Sequence, residues 1–168
     1  MASISTLQAS SSSSNPHTYD VFLSFRGEDT RKTFTGHLYA NLVANGIHTF
    51  RDDEELEKGG DIASDLSRAI EESKIFVIIF SKRYADSKWC LNELVKIIDC
   101  KTEKGSAVLP VFYHVEPTDV RKQGGSFKDA FLDHAKDADQ EKEKTIETWK
   151  NALMTAANLS GFHHLQNE

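Results

Sequence analysis

Six consecutive apolar residues, Ile75-Phe76-Val77-Ile78-Ile79-Phe80, constrain this chain more than any other stretch. A strand with one wet face alternates polar and apolar side chains, whereas an unbroken apolar run is covered on both faces, as in the middle of a parallel sheet. The run therefore predicts a central strand. Around it, residues 19–25 (YDVFLSF) alternate and are rich in aromatic and β-branched types, which suits a first strand. Residues 47–50 form a short second strand. Residues 107–115 (AVLPVFYHV) form another, kept at or near an edge by Pro110, which has no N–H to donate to a ladder. Residues 162–165 add a short last strand.

Between these runs the apolar period changes to that of a helix. Phe34, Leu38 and Leu42 repeat every fourth residue after Asp29 or Thr30 as a cap, and Asn45-Gly46 supplies a stop. His37 falls off that stripe and should be exposed. Leu66 and Ile70 continue a repeat from Ile62 behind Asp61 as a cap. Cys90, Leu91, Leu94, Val95, Ile97 and Ile98 form a stripe over residues 87–104, with Asn92, Lys96 and Asp99 on the wet face. Residues 116–125, with Pro117 and two glycines, read as a loop before a helix opened by Ser126 and carrying Phe127, Ala130 and Phe131. The charged stretch 137–144 should be exposed, and a last helix over 145–160 buries Ile146, Trp149 and Leu153 before Gly161. Strands alternating with helices give a parallel α/β sheet with helices on both faces.

A chain of 168 residues suits one domain burying about two-thirds of its unfolded surface. Residues 1–18 are serine-rich without Asp, Glu, Lys or Arg, too polar to offset their ordering entropy, and are expected to be a disordered tail before a domain over 19–165. A transit peptide is the weaker reading of that tail, which lacks arginines. The formal charge of −6 argues against a nucleic-acid binder. No apolar run approaches the eighteen or so residues of a membrane span. Cys90 and Cys100 lie about 15 Å apart along one helix, too far for a disulfide, and read as reduced thiols of a cytosolic protein.

In open parallel sheets the ligand crevice lies beyond the carboxyl ends of the strands, where the strand order reverses. Ser87, Trp89 and Glu93 begin the helix that follows the central strand, so they face that crevice. Glu93 sits at the edge of its apolar stripe, between Trp89 at i−4 and Ile97 at i+4. Two readings stand at this point: a boundary carboxylate paired or hydrated at the surface, or a functional acid in a partly apolar cleft. No glycine-rich dinucleotide fingerprint follows the first strand, and no Walker loop or Gly-x-Ser-x-Gly elbow occurs. The histidines lack metal-ligand spacing, so no metal is assigned.

Five collinear blocks, YDVFLSFRGED from residue 19, GIHTFRDDEELEKGGDI from 46, YADSKWCLNEL from 84, VLPVFYHVEPTDVRKQGGSF from 108 and WKNALMTAANLSG from 149, make the chain similar to the plant type of Toll/interleukin receptor (TIR) domain. The resemblance implies a flavodoxin-like fold with a five-stranded parallel sheet. It also implies the amino-terminal module of a nucleotide-binding leucine-rich-repeat immune receptor, acting in the cytoplasm and also the nucleus. The implied activity is hydrolysis of the nicotinamide–ribose bond of NAD or NADP, which is substrate and not cofactor, in signalling and cell death.

The family's catalytic glutamate corresponds to Glu93, and Arg26, Gly27, Arg31, Ser87 and Trp89 correspond to positions lining its nucleotide cleft. Residues 51–60 correspond to its mobile loop. Trp89 either stacks on a ring or packs the helix. Arg26 and Arg31 either neutralise phosphate or are surface charge. Partners implied are other TIR domains, through a face that includes His37 and another that includes Gly161. Two positions depart from the family: Gly36 stands where serine is usual, and Lys58 where arginine is common. The alternative function is a non-catalytic homotypic interaction module.

Overall fold

The apolar run lies in the third strand, Ser73–Phe80, at the centre of one parallel sheet. With elements numbered in chain order, β1 is Tyr19–Ser24, β2 Thr49–Arg51, β3 Ser73–Phe80, β4 Ala107–Tyr113 and β5 Phe162–His164. Their spatial order is β2-β1-β3-β4-β5. The computed structural model describes residues 19–51 and 64–164. The expected tail 1–18, the loop beyond Arg51 with Lys58, the Asp61 cap, Ile62 and residue 165 lie outside the described residues.

Register turns sequence alternation into two cores. Phe22 of β1 pairs with Phe76 of β3, Val77 with Leu109 of β4, and Phe80 with Phe112. Phe22, Phe76, Ile78, Phe80 and Phe112 project to one face, and Val21, Leu23, Val77, Ile79 and Val111 to the other. Each fully buried phenylalanine or isoleucine contributes about 1.5–3 kcal/mol, so β3 is the most heavily anchored element. One residue of the run departs from expectation. Ile75 is 40% exposed, Lys74 before it is also exposed, and the continuous burial of the strand begins at Phe76.

The helices are α1 Gly27–Thr30, α2 Phe34–Ala44, α3 Ser64–Glu71, α4 Lys88–Lys104, α5 Pro117–Lys122, α6 Gly125–Ala135 and α7 Gln140–Ala157, with a 3₁₀ turn at Tyr84–Asp86. Leu66 and Ile70 of α3, Leu91, Leu94 and Ile97 of α4, Phe127 and Phe131 of α6, and Trp149 and Leu153 of α7 fill the larger core. Phe34, Leu38 and Leu42 of α2 cover the other face and stay half-buried. Pro110 pairs with Ile78, while β5 joins β4 only from Val111 onward, so the proline sits where one side of β4 has no strand beside it.

Local signals misplace three helix boundaries. The expected helix from Asp29 is broken, with Thr33 at φ −123° and ψ −111° and no side-chain cap on α2. The Oγ1 atoms of Thr30 and Thr35 bridge the break at 2.7 Å. A Cβ at residue 36 would overlap the Arg31 carbonyl oxygen, so Gly36 admits this close approach. Residues 117–122 are helical where a loop is expected. Pro117 takes the first helical position, where no N–H is needed, and Gln123 at φ 53° ends the turn. The last helix starts at Gln140, not residue 145, because the Asp139 carboxylate accepts from the Lys142 N–H at 2.8 Å and caps the charged run.

Candidate functional site

Strand order reverses between β1 and β3, since one chain direction runs outward to β2 and the other to β4 and β5. The crevice of such a sheet opens beyond the carboxyl ends of those two strands. The chain segments there are 25–31 after β1 and 81–93 after β3.

Helix α4 begins with Ser87 as its cap: Oγ accepts from the Cys90 N–H at 3.1 Å, and Gly105 at φ 69° closes the far end. This start fixes the orientation of Trp89 and Glu93. Glu93 is buried at 3% exposure, deeper than the stripe-edge position expected from its period. Trp89 is half-buried and packs against the larger core. Asn92 is not on a wet face. It is half-buried, and its Oδ1 accepts from Trp149 Nε1 of α7 at 2.9 Å.

Beneath Glu93 lies a hydrogen-bonded seam joining α4 to β1. The fully buried Tyr84 hydroxyl donates to the Cys90 carbonyl at 3.2 Å and shares a 2.9 Å hydrogen bond with Ser24 Oγ. Cys90 Sγ lies 3.5 Å from the Phe25 carbonyl oxygen. Burial pushes the Tyr84 phenol well above its ordinary range, and Cys90 and Glu93 push it further, against the Ser24 hydrogen bond. The phenol is therefore a neutral donor, and the Glu93 carboxylate acts on it electrostatically.

The other wall is the turn after β1. Arg26 has a side chain 13% exposed, with Nη1 donating to Asp29 Oδ1 and Nη2 to Glu28 Oε2, each at 2.9 Å. Burial works against the charge, but Asp29 and then Glu28 outweigh it and raise the guanidinium above its ordinary range. Asp29 Oδ2 accepts from the buried Ser81 hydroxyl and from the Arg83 N–H at 3.0 Å, tying the loop after β1 to the loop after β3. Gly27 is buried at the start of α1. The Arg31 guanidinium lies 5.1 Å over the Phe25 ring, a cation–π contact.

The fold thus brings Arg26, Gly27, Arg31, Ser87, Trp89 and Glu93 to one end of the sheet. His37 lies apart from them, exposed on α2. Gly161 also lies apart, on the β5 edge of the sheet beside β4, where a Cβ would overlap the Pro110 carbonyl oxygen. Sequence reasoning misses Ser24, Asp29, Ser81 and Tyr84 as parts of this region. Their partners are 52 to 60 residues away, and no local period marks them. Among the described residues no cluster of three or more His, Cys, Asp or Glu side chains is arranged to hold a metal ion, and no helix is long and apolar enough to cross a membrane.

A family model described as TIR domain matches residues 18–168. Disease resistance protein RPV1 of Vitis rotundifolia is 55% identical over 172 aligned positions, covering 99% of this chain and 12% of that protein. TMV resistance protein N of Nicotiana glutinosa is 55% identical over 153, covering 91% of this chain and 13% of its own length. The chain therefore spans about an eighth of these relatives. Among solved structures, the TIR domains of an activated Roq1 resistosome directly recognizing the pathogen effector XopQ superpose with a TM-score of 0.81 at 50% identity, covering 87% of each chain.

Proposed function

This chain belongs to the TIR domain family, and from that membership we propose that it is an NAD(P)⁺ nucleosidase of plant immune signalling, active when self-associated. The observation that carries this reading is Glu93: a carboxylate 3% exposed, at the start of the helix after the central strand, beside the reversal point of the sheet. Nicotinamide leaves as a neutral molecule from a cationic glycosidic nitrogen and needs no general acid. The barrier is the oxocarbenium-like ribose that remains, as in glycoside hydrolysis. Glu93 accepts hydrogen bonds from the ribose hydroxyls, stabilises the developing positive charge and orients the attacking water. Water adds to the ribose carbon, its proton is released, and ADP-ribose and nicotinamide result. Arg26 and Arg31 supply positive charge for the phosphates, and Trp89 an aromatic wall. No cofactor beyond the dinucleotide substrate is invoked.

Assembly is proposed to run through α2, where Val43 is 48% exposed and His37 lies on the surface; Met154, 45% exposed, lies on α7, which covers the opposite face of the sheet. Gly161 is the candidate at a second face. The relatives are named as disease resistance proteins, and the matched Roq1 domains are described within an activated resistosome, which supports a role inside a longer intracellular receptor. The same exposed apolar residues favour a second reading, a module that signals by homotypic docking alone. The deciding experiment is nicotinamide release from NAD and NADP, titrated in protein concentration, beside a folded Glu93→Ala variant. Release rising faster than linearly and lost in the variant supports the nucleosidase; no release by artificially clustered wild type supports the docking module.

A further inference from the structure

Arg26 holds two carboxylates of unequal standing. The Asp29 side chain is 15% exposed, and its second oxygen also holds Ser81 and the Arg83 N–H, so removing it would strand donors on both loops. The Glu28 side chain is 75% exposed, and among the described residues it pairs with Arg26 alone. An exposed pair of this kind is weakly held, equivalent to about a two- to fivefold factor in an equilibrium. Carboxylate and phosphate oxygens present the same acceptor geometry to a guanidinium.

We propose that Glu28 is a displaceable internal counter-ion that occupies Arg26 Nη2 until a phosphate or pyrophosphate group replaces it, while Asp29 holds the guanidinium in place for the exchange. The exchange is non-covalent: Glu28 swings into water still ionised, and the incoming phosphate takes over its hydrogen bond. Glu28 then sets how much anionic charge a ligand must carry to enter, a specificity determinant acting in the ground state. This inference rests on the nucleotide-cleft reading of Arg26 and extends it.

The test uses inorganic pyrophosphate as the probe, titrated by NMR against the wild type, Glu28→Gln, Arg26→Lys and the double variant, with nicotinamide release from NAD followed in parallel. Arg26→Lys keeps the charge and removes the planar fork, which guards against misfolding of a neutral variant. Glu28→Gln is expected to bind pyrophosphate about two- to fivefold more tightly. The gain should shrink to little or nothing in the Arg26→Lys background, and KM for NAD should fall by a similar factor. No gain in Glu28→Gln overturns the proposal, as does an equal gain in the double variant, which would assign the effect to net charge alone. Tighter pyrophosphate binding that depends on Arg26, with no nicotinamide released by any variant, would support the counter-ion and count against the nucleosidase.

Discussion

Tyr84 and Ser24, sixty residues apart, meet at 2.9 Å through their hydroxyls, and the same tyrosine reaches the Cys90 carbonyl at 3.2 Å. One buried phenol thus fastens the first turn of the helix carrying Glu93 to the end of the first strand. Tyr84→Phe keeps the ring against Phe80 but leaves Ser24 Oγ and the Cys90 carbonyl short of a partner. The expected cost is about 1–3 kcal/mol, read as a lower denaturation midpoint with an unchanged slope. An unchanged midpoint would show that the seam contributes nothing to stability.

Ser87 stands among the expected cleft residues, yet its side-chain hydrogen bond is a helix cap. Ser87→Ala should destabilise the domain by about 1 kcal/mol, and Ser87→Asp should restore stability, since either oxygen-bearing side chain accepts from the Cys90 N–H. Urea denaturation of both variants separates the roles. If aspartate restores stability but nicotinamide release stays lost, the hydroxyl also serves the substrate.

Gly161 is a candidate for self-association, but its first constraint is internal. Gly161→Ala places a methyl group on the Pro110 carbonyl and ring, so β5 must shift from β4. The expected loss is about 1–3 kcal/mol, with faster amide exchange at His114, whose N–H bonds the His164 carbonyl at 2.9 Å. Unchanged exchange there, with weakened self-association, would return the residue to a purely external role.

Acid should weaken the fold through His134. Burial, then Lys142 and Lys88, lower its pKa below the ordinary 6.5, against the Ala85 carbonyl at 2.8 Å and Asp86. A base with a depressed folded pKa binds fewer protons folded than unfolded. Its stabilisation is therefore complete above about pH 6.5 and lost as pH falls through the folded value. His114 is depressed too, by burial first and then by His164 and Lys82, and adds in the same direction. His134→Gln should flatten the decline in denaturation midpoint between pH 7 and 5 without abolishing it. A decline as steep as that of the wild type would assign the acid sensitivity elsewhere.

The strands were legible because their signals are local. The unbroken run of β3 and the Pro110 interruption each state their own placement, and the sheet follows from their spacing; the alternation read in β1 does not carry into its burial, since Val21, Phe22, Leu23 and Ser24 are all buried beneath helices on both faces. Glu93, Trp89 and Ser87 were legible as the start of a helix after the central strand. What sequence period misjudged depended on distant partners. Asp29 reads as a cap, and its carboxylate instead joins Ser81 across the sheet end. Asn92 falls on the wet arc of its helix until Trp149 of the last helix covers it. Residues 117–122 carry proline and are followed by glycines, the marks of a turn, yet Pro117 starts a helix rather than breaking one.

The seam between β1 and α4 carries its own clock. Cys90, with its sulfur against the Phe25 carbonyl, and Cys100, farther along the same helix, are both buried thiols outside any disulfide, and burial pushes the Cys100 thiol pKa up. A thiol reagent can reach either only when the structure around it opens. Their two labelling rates thus time the breathing of the Glu93 end of the helix separately from that of the rest. A ligand that closes the cleft should slow the first rate and leave the second alone.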